Sequence, residues 1–204
     1  MTVFELRPRG ELERAILRDP EVQVDLTYGE PRWGHPEGSV GAHVAELWTI
    51  VQGVADVLAP GMVEDLRVLA LLHDLGKRKP WPAGTPHHGV ASRRIAARFV
   101  GDQRLLDIVA EHDEPYRLWK RERRTGESVW DRLVVVFDRV RADFDLFVIF
   151  FTVDGSSGDK DPAPRLWLQE MARCYAPDDM AWEAPARAIM TRRLDGPIGP
   201  HRDT

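Results

Sequence analysis

Apolar residues along this chain recur mostly at intervals of three and four, the spacing that lines one side of a helix. Val44, Leu47, Trp48, Val51, Val54, Ala55 and Leu58 form the first long stripe, behind Ser39 as a candidate N-cap and ahead of the stop Pro60-Gly61. A second helix is predicted over Val63 to Leu75, with Leu66, Leu69, Ala70 and Leu72 inward and Gly76 as its C-terminal stop. Further helices are predicted from His88 to Val100 and from Gln103 to His112, with Pro115 just beyond. Ser128 to Asp154 holds neither Gly nor Pro and reads as one long helix. Within it, Leu146 to Val153 taken alone resembles a buried strand, rich in aromatic and β-branched residues. The unbroken helical spacing before it decides for helix. Pro164 to Cys174 and Met180 to Leu194 are the last predicted helices, followed by a ten-residue loose tail.

Outside these stretches the pattern is irregular. Glu11 to Arg18 makes a short helix that Pro20 stops, and Gly29 to Gly38 and residues 77–87 read as loops from their glycines and prolines. Residues 116–127 are polar and strongly basic. The expectation is one all-α domain over residues 1–204, with a helical core at 35–158, an N-terminal extension at 1–34, and C-terminal helices and tail at 159–204.

Composition narrows the class. The chain has 204 residues, 43% of them hydrophobic and 30% charged, as in an ordinary globular protein. The net charge of −5 argues against a general nucleic-acid coat. Cys174 is the sole cysteine, so neither an internal disulfide nor a cysteine-rich zinc site is available. With no signal pattern and no membrane-length apolar run, the expected location is the cytoplasm.

The chemistry enters at Leu71-Leu72-His73-Asp74-Leu75-Gly76-Lys77. A histidine beside a carboxylate offers one cation both nitrogen and oxygen. His43, His73, His88, His112 and Asp154 each lie three or four residues from apolar residues of their own predicted helix, and Asp74 adjoins His73. Taken singly, each is more readily a satisfied core or capping residue. Six such groups turned into one interior would be costly to bury unpaired, and a bound cation removes that cost.

These residues resemble the HD superfamily of metal-dependent phosphohydrolases, whose pattern H…HD…D reads here as His43, His73-Asp74 and Asp154. The resemblance covers roughly residues 35–158 and implies an all-α HD-domain helical bundle with a metal site in its core. His88 and His112 match the two additional histidines with which a subset of the family holds a second ion; His87 is a rival to His88. The segment His88-Gly89-Val90-Ala91-Ser92-Arg93 is similar to the HD domains of bacterial tRNA nucleotidyltransferases, with Arg93 replacing an alanine. Two departures leave the substrate open: no nucleotidyltransferase domain is present, and Gly155-Ser156-Ser157-Gly158 stands where relatives often carry basic residues.

The resemblance implies one or two divalent ions (Mn, Mg, Fe, Co or Ni) on His43, His73, Asp74, His88, His112 and Asp154, with Asp74 bridging. Asp74 and Lys77 are the expected catalytic residues, Lys77 as a point charge for phosphate oxygens. The expected reaction is cleavage of a phosphomonoester or phosphodiester by a metal-activated water. The expected partner is a small phosphorylated substrate such as a nucleotide, with RNA a further candidate and no membrane. Two alternatives stay open, a diiron O₂-dependent oxygenase of the same superfamily and a non-catalytic nucleotide-binding module. Arg117, Lys120, Arg121, Arg123 and Arg124, beside Tyr116 and Trp119, form either an anion-steering segment or a solvated basic stretch; Lys77, Arg78 and Lys79 form a smaller basic group.

Overall fold

The computed structural model describes residues 5–79 and 88–194. Among them the regular structure is helical, and an isolated bridge pairs Arg32 with His35. The helices are α1 (Glu11–Arg18), α2 (Pro20–Leu26), α3 (Val40–Gly53), α4 (Met62–Leu72), α5 (His88–Ala96) and α6 (Gln103–Glu111). After them come α7 (Glu114–Thr125), α8 (Trp130–Arg139), α9 (Phe144–Asp154), α10 (Ala163–Tyr175) and α11 (Glu183–Leu194). The fold is an all-α bundle. None of the described helices is long and apolar enough to cross a membrane.

The bundle is organised around α9. From Leu146 to Val153 every residue is buried, and the helix packs against α3, α4, α10 and α11. A helix enclosed on all sides needs no polar stripe, which is why its sequence mimics a buried strand. Phe137 of α8, Phe144 and Phe147 of α9, and Tyr175 of α10 form edge-to-face and tilted ring contacts beside it.

Several boundaries differ from the sequence reading. Pro20 does not merely end α1; it starts α2, with the Asp19 side chain accepting from the Glu21 and Val22 N–H groups. Pro115 likewise sits in the first turn of α7, a helix where the sequence showed only a polar stretch. The stretch 128–154 divides at a 3-10 turn, Arg141–Asp143, although no Gly or Pro marks it. α3 ends at Gly53, ahead of a 3-10 turn at Ala55–Val57, and α5 ends at Ala96 rather than Val100. Ser39 does cap α3, its hydroxyl accepting from Ala42 N–H at 3.2 Å. The expected tail, most of the loop after Lys77, and His87 lie outside the described residues.

A buried ion pair ties the first helix to the core. Arg67 of α4 donates from Nε and Nη2 to the two Glu13 oxygens at 2.7 and 2.9 Å. Nη2 also donates to Arg7 O, Arg9 N–H donates to Glu13 Oε2 at 2.6 Å, and the guanidinium stacks 3.9 Å from the Trp48 ring. The charged atoms have the partners that burial demands.

Candidate metal centre

Five helices deliver the candidate side chains. His43 projects from the first turn of α3, His73 and Asp74 follow the last turn of α4, and His88 begins α5. His112 caps α6, and Asp154 ends α9. Placement near helix ends puts short polar side chains at the point where several helices converge. The rings lie side by side: His43 and His73 centroids are 5.4 Å apart, His73 and His112 5.0 Å, and His88 and His112 4.8 Å. Phe150 of α9 closes the floor, 5.3 Å from the His73 ring.

The turn carrying the doublet is held by its neighbours. Gly76 does not adopt the left-handed conformation expected of a helix-stopping glycine. It is required by close approach, since a Cβ there would lie 2.5 Å from Ser92 N and 2.6 Å from His88 O. Ser92, fully buried, accepts the Gly76 N–H at 2.9 Å. The HD turn is thus fastened directly to the helix that begins with His88.

Two groups of side chains can each hold a cation: His43, His73 and Asp74, and Asp74, His88 and His112. Asp74 belongs to both. Its Oδ2 is 3.2 Å from His73 Nε2, while its Oδ1 is 2.9 Å from His88 Nε2 and 3.6 Å from His112 Nε2. Asp154 stands at the edge of the first group, with Oδ1 2.9 Å from His43 Nε2 and 3.9 Å from His73 Nε2. All of these residues are buried except Asp154, which is partly exposed.

The residues fit a metal ion on two counts. First, His73 Nε2 and Asp74 Oδ1 are buried without a hydrogen-bond partner, a costly arrangement for polar atoms unless a ligand completes it. Second, the ring orientations suit coordination. His73 Nδ1 lies 2.9 Å from Ala70 O, and His112 Nδ1 2.8 Å from Val109 O. A carbonyl only accepts, so each Nδ1 carries the proton and each Nε2 presents its lone pair inward. The donors are nitrogen and oxygen, a set that suits Mn, Fe, Co or Ni and admits Mg.

Electrostatics keeps both carboxylates ionised. Burial works to raise the Asp74 carboxyl, but His73, Lys77 and His112 outweigh it and hold it well below the usual range. Asp154 behaves likewise: burial opposes ionisation, and Lys160, His43 and His73 overcome it. Burial lowers His73, whereas His112 is raised because Asp74 outweighs the same effect. His43 is raised as well; burial and Lys160 oppose the charged form, and Asp154 with Glu37 prevails.

Three participants carried no signal in the hydrophobic pattern. Glu37 Oε1 lies 3.2 Å from His43 Nδ1 and 3.1 Å from His35 Nδ1. Lys160 Nζ donates to Asp154 Oδ1 at 3.0 Å and to its carbonyl at 2.9 Å, so a basic residue reaches Asp154 from beyond the Gly-Ser-Ser-Gly turn. Lys77 was anticipated as a phosphate contact; its Nζ donates to Asp74 Oδ2 at 2.6 Å. A cleft over the centre is lined by Tyr28, Arg32, His35, Glu37, His43, Asp74 and Lys77, among others.

The HD-domain family model matches residues 40–143, just over half of the chain. The chain belongs to the HD-domain family. The match takes in five of the six candidate ligands and stops before Asp154. Comparison with curated proteins and with solved structures gives no match. The match spans the His73-Asp74 turn described above.

Proposed function

We propose that this HD domain is a metal-dependent phosphohydrolase that cleaves a phosphomonoester or phosphodiester of a nucleotide or a nucleic-acid end. The observation that carries the reading is Asp74: one buried carboxylate shared by two cation-competent groups, with Oδ1 left without a hydrogen bond. His43, His73 and Asp74 would hold one ion, with Asp154 beside them, and Asp74, His88 and His112 a second. Polarisation of a phosphoryl oxygen and acidification of a water are what divalent ions supply at such a site when bound.

The chain's own contribution is positioning and charge. Ala70 O and Val109 O hold His73 and His112 with Nε2 inward, and the Glu37 carboxylate stands behind His43, 3.2 Å from Nδ1. Asp74 stays ionised and aligned through the Lys77 ammonium, which also lines the cleft where a phosphate would enter. Phe150 and the apolar ends of α4 and α9 keep water out of the floor.

The test is metal content followed by turnover. Protein purified without added metal and reloaded with Mn, Co or Ni is expected to carry one or two ions per chain and to hydrolyse phosphomonoester or phosphodiester bonds of nucleotide substrates with or without O₂. About two iron ions per chain with O₂ consumption and no phosphoester hydrolysis would replace this reading with the oxygenase one. Tight nucleotide binding by metal-loaded protein without turnover would make the domain a binding module.

A further inference from the structure

We infer that the exposed face of α7 binds the backbone of a single-stranded nucleic acid. At 100° per residue, Pro115, Leu118 and Glu122 share one side of this helix. That side is occupied: Pro115 and Leu118 are buried, and Glu122 Oε2 accepts from Trp167 Nε1 of α10 at 2.7 Å. The opposite side carries Arg117, Lys120, Arg121, Arg123 and Arg124, and Arg132 of α8 lines the same concavity.

Neutralisation there is incomplete. Arg117 pairs with Glu114 at 2.9 Å and Arg121 with Glu127 at 3.3 Å, while Arg132 reaches Glu114 only at 4.0 Å. Lys120 sits over the Tyr116 ring at 5.1 Å. Among the described residues, Arg123 and Arg124 have no ion-pair partner. The other basic run is different, since Lys77, Arg78 and Lys79 are each bonded to a carboxylate, of Asp74, Asp25 and Glu21 respectively. The α7 face is therefore a local excess of positive charge on a chain of net charge −5.

The shape of the excess selects the occupant. Arg117 to Arg124 extend over about 10 Å of helix axis, longer than a single phosphate needs and suited to an extended polyanion. Tyr116 and Trp119 stack at 5.9 Å with an interplanar angle of 19°, and Tyr116 is exposed at the edge of the cations. A base can stack on that ring while its phosphates track the arginines, a pairing that an acidic peptide does not match. Glu114, the first residue of α7, follows the candidate ligand His112 by two positions, so the face leads away from the metal centre itself. The link to catalysis, a strand held on α7 with its end at the centre, rests on the phosphohydrolase reading; the binding does not.

The experiment is fluorescence anisotropy with labelled single-stranded RNA and DNA of about 12 nucleotides, within the usual single-strand site size. It uses the full chain and its Asp74→Ala variant, so that binding is read with the metal groups broken. Both proteins are expected to bind, with affinity falling as salt rises. In Arg123→Glu/Arg124→Glu the affinity should drop at least tenfold and the log–log salt slope flatten by about 1.4, at roughly 0.7 per lost phosphate contact. Tyr116→Ser should weaken binding about fivefold or more with the salt slope kept. For a cleavable oligonucleotide the charge reversal should raise KM and leave mononucleotide turnover unchanged. Equal binding by the charge-reversed protein, no binding at low salt, or preference for anionic phosphatidylserine vesicles over the oligonucleotides would overturn the proposal. Loss of turnover in Asp74→Ala with binding intact keeps the two readings separate.

Discussion

Two clusters of buried charged and polar side chains draw on α4, one at Arg67 within the helix and one at the His73-Asp74 turn that follows it, and they are built on opposite principles. Glu13 and Arg67 are closed: both Glu13 oxygens accept hydrogen bonds, and Arg67 donates to Glu13 and Arg7 O while stacking on Trp48. The cluster of His43, His73, Asp74, His88 and His112 is open: it leaves His43 Nδ1, His73 Nε2 and Asp74 Oδ1 without hydrogen bonds. A closed cluster has spent its polar capacity on the fold. An open one stores that capacity for a ligand, at a cost the rest of the core carries. Burial alone does not separate the two, since Glu13, Arg67, His73 and Asp74 are all buried.

The sharpest way to break the contrast is Asp74→Ala. The substitution takes a ligand from both groups at once. Metal content should fall from one or two ions per chain to none, and phosphate release to background, while the helical circular dichroism stays close to that of the parent. Retained metal and activity in that variant would remove the proposed site.

The counterpart is Arg67→Ala. It strands Glu13 in the core, and breaking a buried pair from one side costs about 3–5 kcal/mol. For a chain of this size that is a Tm decrease of roughly 6–20 °C. Metal affinity should not change. Acid should reproduce part of the loss. Burial works to raise Glu13, but its bonds from Arg67 and Arg9 prevail and hold its carboxyl below the ordinary value. A carboxyl lowered in the folded state contributes stability above its unfolded pKa, and that contribution fades as pH drops through the folded value. Parent protein should therefore lose more stability than Arg67→Ala between about pH 4.5 and pH 3, the region below the unfolded carboxylate pKa.

A smaller effect tests the open cluster through stability. Free metal at a hundred times its Kd should add about 2.7 kcal/mol. A chelator should remove that increment, and Asp74→Ala should show none of it. Loading that leaves Tm unmoved at saturating metal would mean that the open cluster is not the place where the ion binds.

How much of this could be read beforehand depends on how each residue is attached. His43, His73, His88 and His112 each extend an apolar helical stripe, and the structure gathers them because the same stripe that marks a helix also aims it inward. The helical state of Leu146 to Val153 was legible even though its composition imitates a strand. The break at Arg141–Asp143 was not, because no residue there forbids a helix; tertiary packing of Phe137 against Phe144 turns the chain instead. α7 was obscured because its proline and charges look like loop, although Pro in a first turn favours a helix start. Glu37 and Lys160 were invisible for a different reason. They sit in segments without periodicity, and only the folded chain brings them to His43 and Asp154.

Glu37 gives the finest test of what an open cluster needs. Its Oε1 sits behind His43 at 3.2 Å from Nδ1, while His43 Nε2 faces Asp154. A carboxylate in that position orients a ligating imidazole and raises its basicity, and losing such a partner typically costs 10- to 100-fold in metal affinity. Glu37→Gln keeps the size and an accepting oxygen but removes the charge, so it should fall at the mild end of that range and Glu37→Ala at the severe end. Competition titration with a metal-binding dye measures the difference directly. Metal at the group of Asp74, His88 and His112 should be retained in both variants, since Glu37 pairs with His35 and His43, which stand outside that group. Equal affinity in Glu37→Ala and parent protein would show that His43 is fixed by packing in α3 alone, and would move Glu37 from the open cluster to the closed kind.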